Sequence, residues 1–246
     1  MTLEQATVLV VGGAGDIGGA VVRRARQLGA RTLIWDLREP DDVDPQHFRR
    51  LDAADEDEVG RGFVRLAEDR LLPDVLINAA GVFAQLKPFD ALDLSGLLQI
   101  LKINAGSCFL TCQTLLRHRP KQVSIVNISS AMSQRPIPMA AAYSASKAAI
   151  DSLTRSIALE YAQHNVRANA VNPGPVRGSM LDSGLSDMAE QAGCQTTDLE
   201  AGILQAIPQS RLIAAEEVAA TALFLADDSA SSITGQTINV CGGYQL

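Results

Sequence analysis

Cysteine is scarce in this 246-residue sequence, and the few that occur are badly placed for chemistry. Cys108, Cys112, Cys194 and Cys241 form no Cys-x-x-Cys pair and take no metal-ligand spacing with His47, His118 and His164. A zinc site or a disulfide scaffold is therefore not expected, and the usage suits a reducing compartment. Cys108 and Cys112, four apart on one face of a helix, read as two small core side chains. Long apolar runs are missing too. No stretch approaches the ~20 residues of a membrane-spanning helix, and Met1–Ala6 has no basic region to begin a signal peptide. The expectation is a soluble, cytoplasmic protein with no membrane partner. Positive charge is the third shortage: 21 Lys and Arg against 28 Asp and Glu leave a formal net charge of −7. Nucleic acid needs a dense basic surface and is not an expected partner. A small anion held by backbone N–H groups is a different matter, because net charge does not exclude it.

What is present is an ordinary globular balance, 47% hydrophobic and 20% charged. A chain of this length buries about 70% of the surface its unfolded form exposes, so it folds without disulfide or metal. Strand-like and helix-like segments alternate. Thr7–Val11 is an apolar strand running into glycines, followed by a helical pattern over Ile17–Leu28 closed by Gly29. Arg31–Trp35 is a strand ending at Asp36, Phe48–Leu51 and Asp74–Ile77 are strand-like, and an amphipathic stretch covers Leu94–Leu116. Val123–Ile128 is a buried strand, Tyr143–His164 a long helix, and Val166–Val171, helix Ala215–Leu225 and strand Thr237–Val240 complete the chain. This order predicts an α/β fold, a Rossmann-type doubly wound parallel sheet with helices on both faces. No linker or repeat divides it, so residues 1–246 are expected to form a single domain. Two segments break the rhythm. Leu37–Leu51 is polar and carries no convincing helix, and Gly178–Ile207 is a long insertion expected to act as a substrate lid.

Gly13-Ala14-Gly15-Asp16-Ile17-Gly18 matches G-x-G-x-x-G between a strand and a helix. Glycines there allow a tight turn and close approach of a pyrophosphate, which then meets free N–H groups and the positive end of the helix dipole. Asp36 follows Gly18 by eighteen residues, at the end of the second strand. A carboxylate there accepts both adenosine-ribose hydroxyls and repels a 2′-phosphate, so NAD(H) is favoured over NADP(H). Arg38 is the counter-signal, since its guanidinium suits that phosphate.

Tyr143 and Lys147 stand four apart at the start of the long helix and share a face. A free phenol has a pKa of about 10 and is a poor acid–base at neutral pH. An ammonium about 5 Å away attracts the phenolate by about 3 kcal/mol at an effective dielectric near 20, which predicts a fall of about two pH units. That suits proton exchange with an alcohol or ketone. Ser130, thirteen residues upstream at the end of a strand, is placed to hydrogen-bond the same substrate oxygen.

Turn, acidic strand end, serine and Tyr-x-x-x-Lys, in this order, resemble the short-chain dehydrogenase/reductase family from about Val8 to Gly243. Further elements agree: Asn78-Ala79-Ala80-Gly81, Asn104, Asn172-Pro173-Gly174-Pro175-Val176 and Ile233-Thr234-Gly235-Gln236. The resemblance implies Tyr143 as general acid/base, Lys147 as its partner and holder of the nicotinamide ribose, Ser130 as polariser of the substrate oxygen, and Asn104 as holder of a relay water. It implies cofactor contacts at Gly12, Gly15, Asp16, Ile17, Gly18, Asp36, Leu37, Asp52, Ala53, Asn78, Ala79, Ala80, Gly81, Pro173, Gly174 and Val176, besides Tyr143 and Lys147, and a homotetramer or homodimer. Metal is not part of the implied site. The departures from the pattern are Val11 for threonine, Asp16 for the middle glycine, Gly178 for threonine with Ser179 adjacent, and Cys241 for aspartate. Asp16 should repel a pyrophosphate unless it turns outward or caps a helix.

The substrate region is expected to lie among Met132–Met139, Val82–Gln85 and the insertion. Met132, Pro136, Ile137, Met139, Val82 and Phe83 would make it apolar, with Gln85, Gln134 and Arg135 as polar handles. That suits a secondary alcohol or ketone on a medium-sized ring or chain, with a cyclic diol among the candidates as in the dihydrodiol-oxidising branch that the sequence resembles. A 3-oxoacyl-carrier-protein reductase is the alternative within the family, and a catalytically silent NAD(H)-binding sensor the alternative outside it.

Overall fold

The structure, a computed structural model, describes residues 2–40, 45–83, 86–118 and 121–245. Seven parallel strands form one sheet among these residues: β1 (Thr7–Val11), β2 (Arg31–Asp36), β3 (Phe48–Arg50), β4 (Val75–Asn78), β5 (Val123–Ile128), β6 (Val166–Pro173) and β7 (Thr237–Val240), in the order β3-β2-β1-β4-β5-β6-β7. The chain runs outward from β1 to β3 and then returns to place β4 on the other side of β1. The carboxyl ends of β1 and β4 therefore diverge, and a crevice opens where the winding reverses.

The central strands are apolar on both faces because helices cover both. Along β1, Val8 and Val10 face a core built with α1 (Asp16–Gln27) and α8 (Ala215–Ala226). Leu9 and Val11 face the opposite core, built with α2 (Glu56–Glu68), α4 (Ser107–Arg117) and α5 (Ala141–Tyr161). Helix α1 presents Ala20, Val21 and Ala25 to the sheet, and its exposed arginines to solvent. The doubly wound α/β sheet expected from the order of segments is the one observed.

Four local features differ from the expected elements. Helix α2 has no counterpart among them, although its start is well marked. Asp55 caps it by accepting the Glu58 N–H at 2.8 Å, and Glu58 reaches back to accept the Asp52 N–H at 2.8 Å. Its Phe63 packs edge-on against Trp35, with ring centroids 4.8 Å apart. The Leu94–Leu116 stretch is two α-helices, α3 (Leu94–Leu101) and α4, joined by a π turn over Lys102–Gly106. Helix α5 stops at Tyr161 and passes through a short 3-10 turn to left-handed Asn165. The 178–207 insertion forms two helices, α6 (Ser179–Ala192) and α7 (Thr196–Ala206). Of the polar Leu37–Leu51 segment, residues 41–44 lie outside the described residues, and Pro45–His47 forms a 3-10 turn leading into β3. Among the described residues, no helix is long and apolar enough to cross a membrane, and no cluster of His, Cys, Asp and Glu is arranged to hold a metal ion.

Candidate active site

The crevice widens into a cleft of about 610 Å³ that runs from the end of β2 across the glycine turn to α6. At the turn, a Cβ on Gly18 would lie 2.0 Å from the Gly12 carbonyl oxygen, so only glycine permits this packing of helix against loop. Gly15 precedes α1 and offers it no side-chain cap, which leaves the first turn of that helix without an internal acceptor. Gly12, Gly15, Asp16, Ile17 and Gly18 all line the cleft, as expected.

Asp36 ends β2 at one extremity of the cleft. Its Oδ2 accepts the Ala14 N–H at 2.9 Å and its Oδ1 the Arg38 N–H at 3.0 Å. One carboxylate thus ties the strand end to the glycine turn while facing the cleft. Leu37, Asp52 and Ala53 line the same end. Asp52 is held by an Asx turn in which its Oδ1 accepts the Ala54 N–H at 2.9 Å.

Ala79, Ala80 and Gly81 form the middle of the wall, and Pro173, Gly174 and Val176 the opposite side. Asn78 is not among the residues that line the cleft. Side chains alternate along a strand, and that of Asn78 turns into the core. There its amide donates to Asn127 Oδ1 at 2.9 Å and its oxygen accepts the Thr111 hydroxyl at 2.8 Å. Asn78 pins β4 to β5 and α4 behind the cleft.

Asn104 is likewise not a free ligand. It is buried within the π turn, its Oδ1 accepts the Val82 N–H at 2.8 Å, and its Nδ2 donates to the Val82 carbonyl at 3.0 Å and to Ser146 Oγ at 3.0 Å. Both donor hydrogens and the oxygen are engaged, so the side chain fixes the loop after β4. Its backbone carbonyl accepts the Ser107 hydroxyl at 3.2 Å.

Ser130, Tyr143 and Lys147 meet at the centre of the cleft. Ser130 leaves β5 and accepts the Met132 N–H at 3.1 Å, which sets the short turn that follows. Helix α5 brings Tyr143 and Lys147 to one face, with Lys147 Nζ 5.7 Å from the phenol ring centroid and donating to the Ile128 carbonyl at 3.1 Å. Their electrostatics differ from expectation. Burial pushes the Tyr143 phenol above its usual 10, and only a hydrogen bond with Ser130 pulls it back. Burial likewise lowers Lys147 from its usual 10.5 to about 8, against the opposing pull of Cys108 and Asp151. The predicted lowering of the phenol by its lysine is reversed because both groups are almost out of water, and desolvation disfavours both charged forms.

Beyond Tyr143 the cleft is apolar. Phe83 packs on the Tyr143 ring with centroids 4.8 Å apart, Met132 and Ile137 stand beside it, and Leu185 and Met188 of α6 face them. Pro136, Gln134 and Met139 do not line the cleft, and Gln85 lies outside the described residues. Arg135 is no handle for a substrate. Its guanidinium lies 5.0 Å over the Tyr244 ring and donates to the Tyr244 carbonyl. Gln245 adds a bond to the Ala131 carbonyl at 2.7 Å, so the end of the chain is strapped to the turn after Ser130, and Tyr244 itself lines the cleft. Nothing in the periodicity of the last residues signals that role.

A sequence model of the family described as enoyl-(acyl carrier protein) reductase matches residues 12–245. Cis-4-hydroxycyclohexanecarboxylate dehydrogenase of Sinomonas cyclohexanicum is 34% identical, over 96% of this chain and 95% of its own. The 2,3-dihydro-2,3-dihydroxybenzoate dehydrogenase of Escherichia coli is 32% identical, over 100% of this chain and 99% of its own. Aldohexose dehydrogenase of Thermoplasma acidophilum superposes with a TM-score of 0.90 at 26% identity, covering 98% of this chain and 94% of that one.

Proposed function

The chain belongs to the short-chain dehydrogenase/reductase family, and from that membership we propose an NAD(H)-dependent dehydrogenase of a neutral, largely apolar secondary alcohol, acting also on the corresponding ketone. The observation that carries this reading is the continuity of one cleft, with a glycine turn and carboxylate at one end, Ser130, Tyr143 and Lys147 in the middle, and an apolar chamber beyond.

The residues present fit a dinucleotide. The first turn of α1 would receive the diphosphate, Asp36 the adenosine ribose, and Lys147 the nicotinamide ribose. Bound there, the cofactor supplies hydride acceptance and donation at its nicotinamide ring. The protein's own groups handle the proton. Ser130 would hold the substrate oxygen, and the Tyr143 phenol would exchange a proton with it, giving one up in ketone reduction and taking one in alcohol oxidation. Asn104 would act through Val82, fixing the wall beside the phenol. NAD(H) is preferred in this reading because Asp36 would repel a 2′-phosphate, with NADP(H) the weaker ligand.

The chamber supports a neutral substrate. Arg135 stacks on Tyr244 and does not line the cleft, and Arg177 pairs with Glu200 at 3.3 Å, which weighs against recognition of a carboxylate. The same feature, with the −7 net charge, weighs against docking of an acidic carrier protein in the 3-oxoacyl reductase reading. Helices α6 and α7 would serve as the substrate lid. Exposed Leu94, Leu98 and Leu159 would bury against a second copy in a dimer or tetramer, which light scattering after size exclusion would detect. The enzymatic reading is tested with NAD or NADP and a panel of cyclic alcohols, carboxylated analogues and 3-hydroxyacyl thioesters, followed by absorbance of the reduced nicotinamide. Turnover of neutral alcohols with NAD is expected. Preferential turnover of the thioesters with NADP would select the reductase reading, and intact NAD binding without turnover of any substrate would leave a sensor.

A further inference from the structure

Two departures from the family's pattern, far apart in the chain, meet at one point. Asp16 stands in place of a glycine, Gly178 in place of a threonine, and Ser179 follows it. Asp16 Oδ2 accepts both the backbone N–H and the hydroxyl of Ser179, each at 2.8 Å. Ser179 is the first residue of α6, and Gly178 gives that helix no side-chain cap. Asp16 therefore caps α6 from the opposite wall of the cleft while occupying the first turn of α1. A carboxylate is favoured at both places, since each presents unpaired N–H groups and the positive end of a helix dipole.

Gly178 makes the arrangement possible. A Cβ at that position would lie 2.5 Å from Asp16 Oδ2, and its φ of +153° is one that residues with side chains rarely adopt. A threonine at 178 and an aspartate at 16 exclude each other in this geometry, so the two departures are one compensated unit. The unit also answers the charge problem posed by Asp16, because its carboxylate is turned to Ser179 and not left to face a diphosphate unpaired.

We propose that Asp16 is a positioning residue that latches α6 to the glycine turn, holding the apolar side of that helix over the cleft. The latch connects the part of the cleft assigned to the dinucleotide with the part assigned to the substrate, through the stretch from Ser179 to Leu185 and Met188. It rests on the dinucleotide reading of the site for its effect on cofactor, but not for its effect on α6.

Two readouts separate these. Hydrogen exchange of residues 179–192 is measured in the protein without cofactor, and NAD affinity is measured by fluorescence of Trp35, which lines the cleft and is the chain's one tryptophan. Asp16→Gly is expected to raise exchange at 179–192 and to weaken NAD binding about fivefold to tenfold, the worth of a lost helix cap. Asp16→Asn retains an acceptor for Ser179 and should fall between wild type and Asp16→Gly in both. Ser179→Ala should add nothing further to Asp16→Gly. Tighter NAD binding in Asp16→Gly would show that charge repulsion governs, and unchanged exchange at 179–192 would show that no latch exists; either result overturns the proposal. If the unsubstituted protein failed to bind NAD, the dinucleotide reading would fall while the exchange comparison still decided the latch.

Discussion

Lys147 Nζ stands 5.7 Å from the centre of the Tyr143 ring, and it reaches there only by being taken out of water. The pair is costly to the folded protein and useful to the reaction for the same reason.

Burial holds Lys147 at about 8, below its usual 10.5. Between those values the unfolded chain carries a proton that the folded chain lacks, so this group makes stability rise with pH across that window. Its full cost is present below about 8. Lys147→Met removes the cost. After loss of the bond to Ile128, it should stabilise the cofactor-free protein at pH 7 by about 2 kcal/mol. The gain should fade by pH 10. Thermal unfolding at both pH values tests this, and an equal gain at the two would refute the electrostatic cause.

Tyr143→Phe keeps the ring against Phe83 and deletes the proton carrier. Turnover is expected to fall by about 10³-fold or more while NAD affinity stays within about twofold. Substantial residual activity in steady-state assays would assign the proton transfer elsewhere.

Ser130 opposes the rise of the Tyr143 pKa. In Ser130→Ala that opposition is lost, so the phenol titrates higher still. Alcohol oxidation, which needs the phenolate, should then begin its rise at a more alkaline pH, with kcat lowered about 100-fold. Ser130→Thr, which keeps the hydroxyl, should restore the profile. A Ser130→Ala profile superposable on the wild type after scaling would remove Ser130 from this role.

Asp36 serves both the strand end and the turn through Ala14 and Arg38. Asp36→Ala should lower the ratio of kcat/KM for NAD over NADP by about tenfold or more, chiefly by admitting the 2′-phosphate to Arg38. An unchanged ratio would show that Asp36 only shapes the turn.

Gly60 and Gly18 lie in helices of opposite tolerance. Nothing approaches a Cβ built on Gly60 within 4 Å, so Gly60→Ala in α2 should stabilise by about 0.5–1 kcal/mol. Gly18→Ala collides with Gly12 and should destabilise by several-fold more and abolish NAD binding. Denaturant titration of the two variants checks the contrast.

The parts of the site visible in the sequence are those set by local geometry. Gly18, Asp36, Tyr143 and Lys147 sit at fixed offsets within a turn, a strand end and a helix, and each offset dictates where the side chain goes. Asn78 and Asn104 match the family's pattern equally well, yet what they bind depends on Thr111, Asn127, Val82 and Ser146, which only the folded chain brings near. The same holds for the phenol's pKa, since burial is a property of the whole cleft and no spacing between two residues reveals it. Tyr244 was hidden because a strap formed with Arg135 has no periodicity. Helix α2 was legible in principle from Asp55 and Glu58.

The π turn at Lys102–Gly106 gives one rod two phases. One residue beyond the α register swings everything after it by about 100°. Leu97 and Ile100, ahead of the turn, pack beside Tyr143, while Cys108, Cys112 and Leu115, beyond it, pack beneath the sheet. Deleting a single residue there would bring the two halves back into step and turn one of those faces to solvent. In this stretch the count of residues is thus specified as well as the identity of Asn104, and a graft from a relative must conserve both.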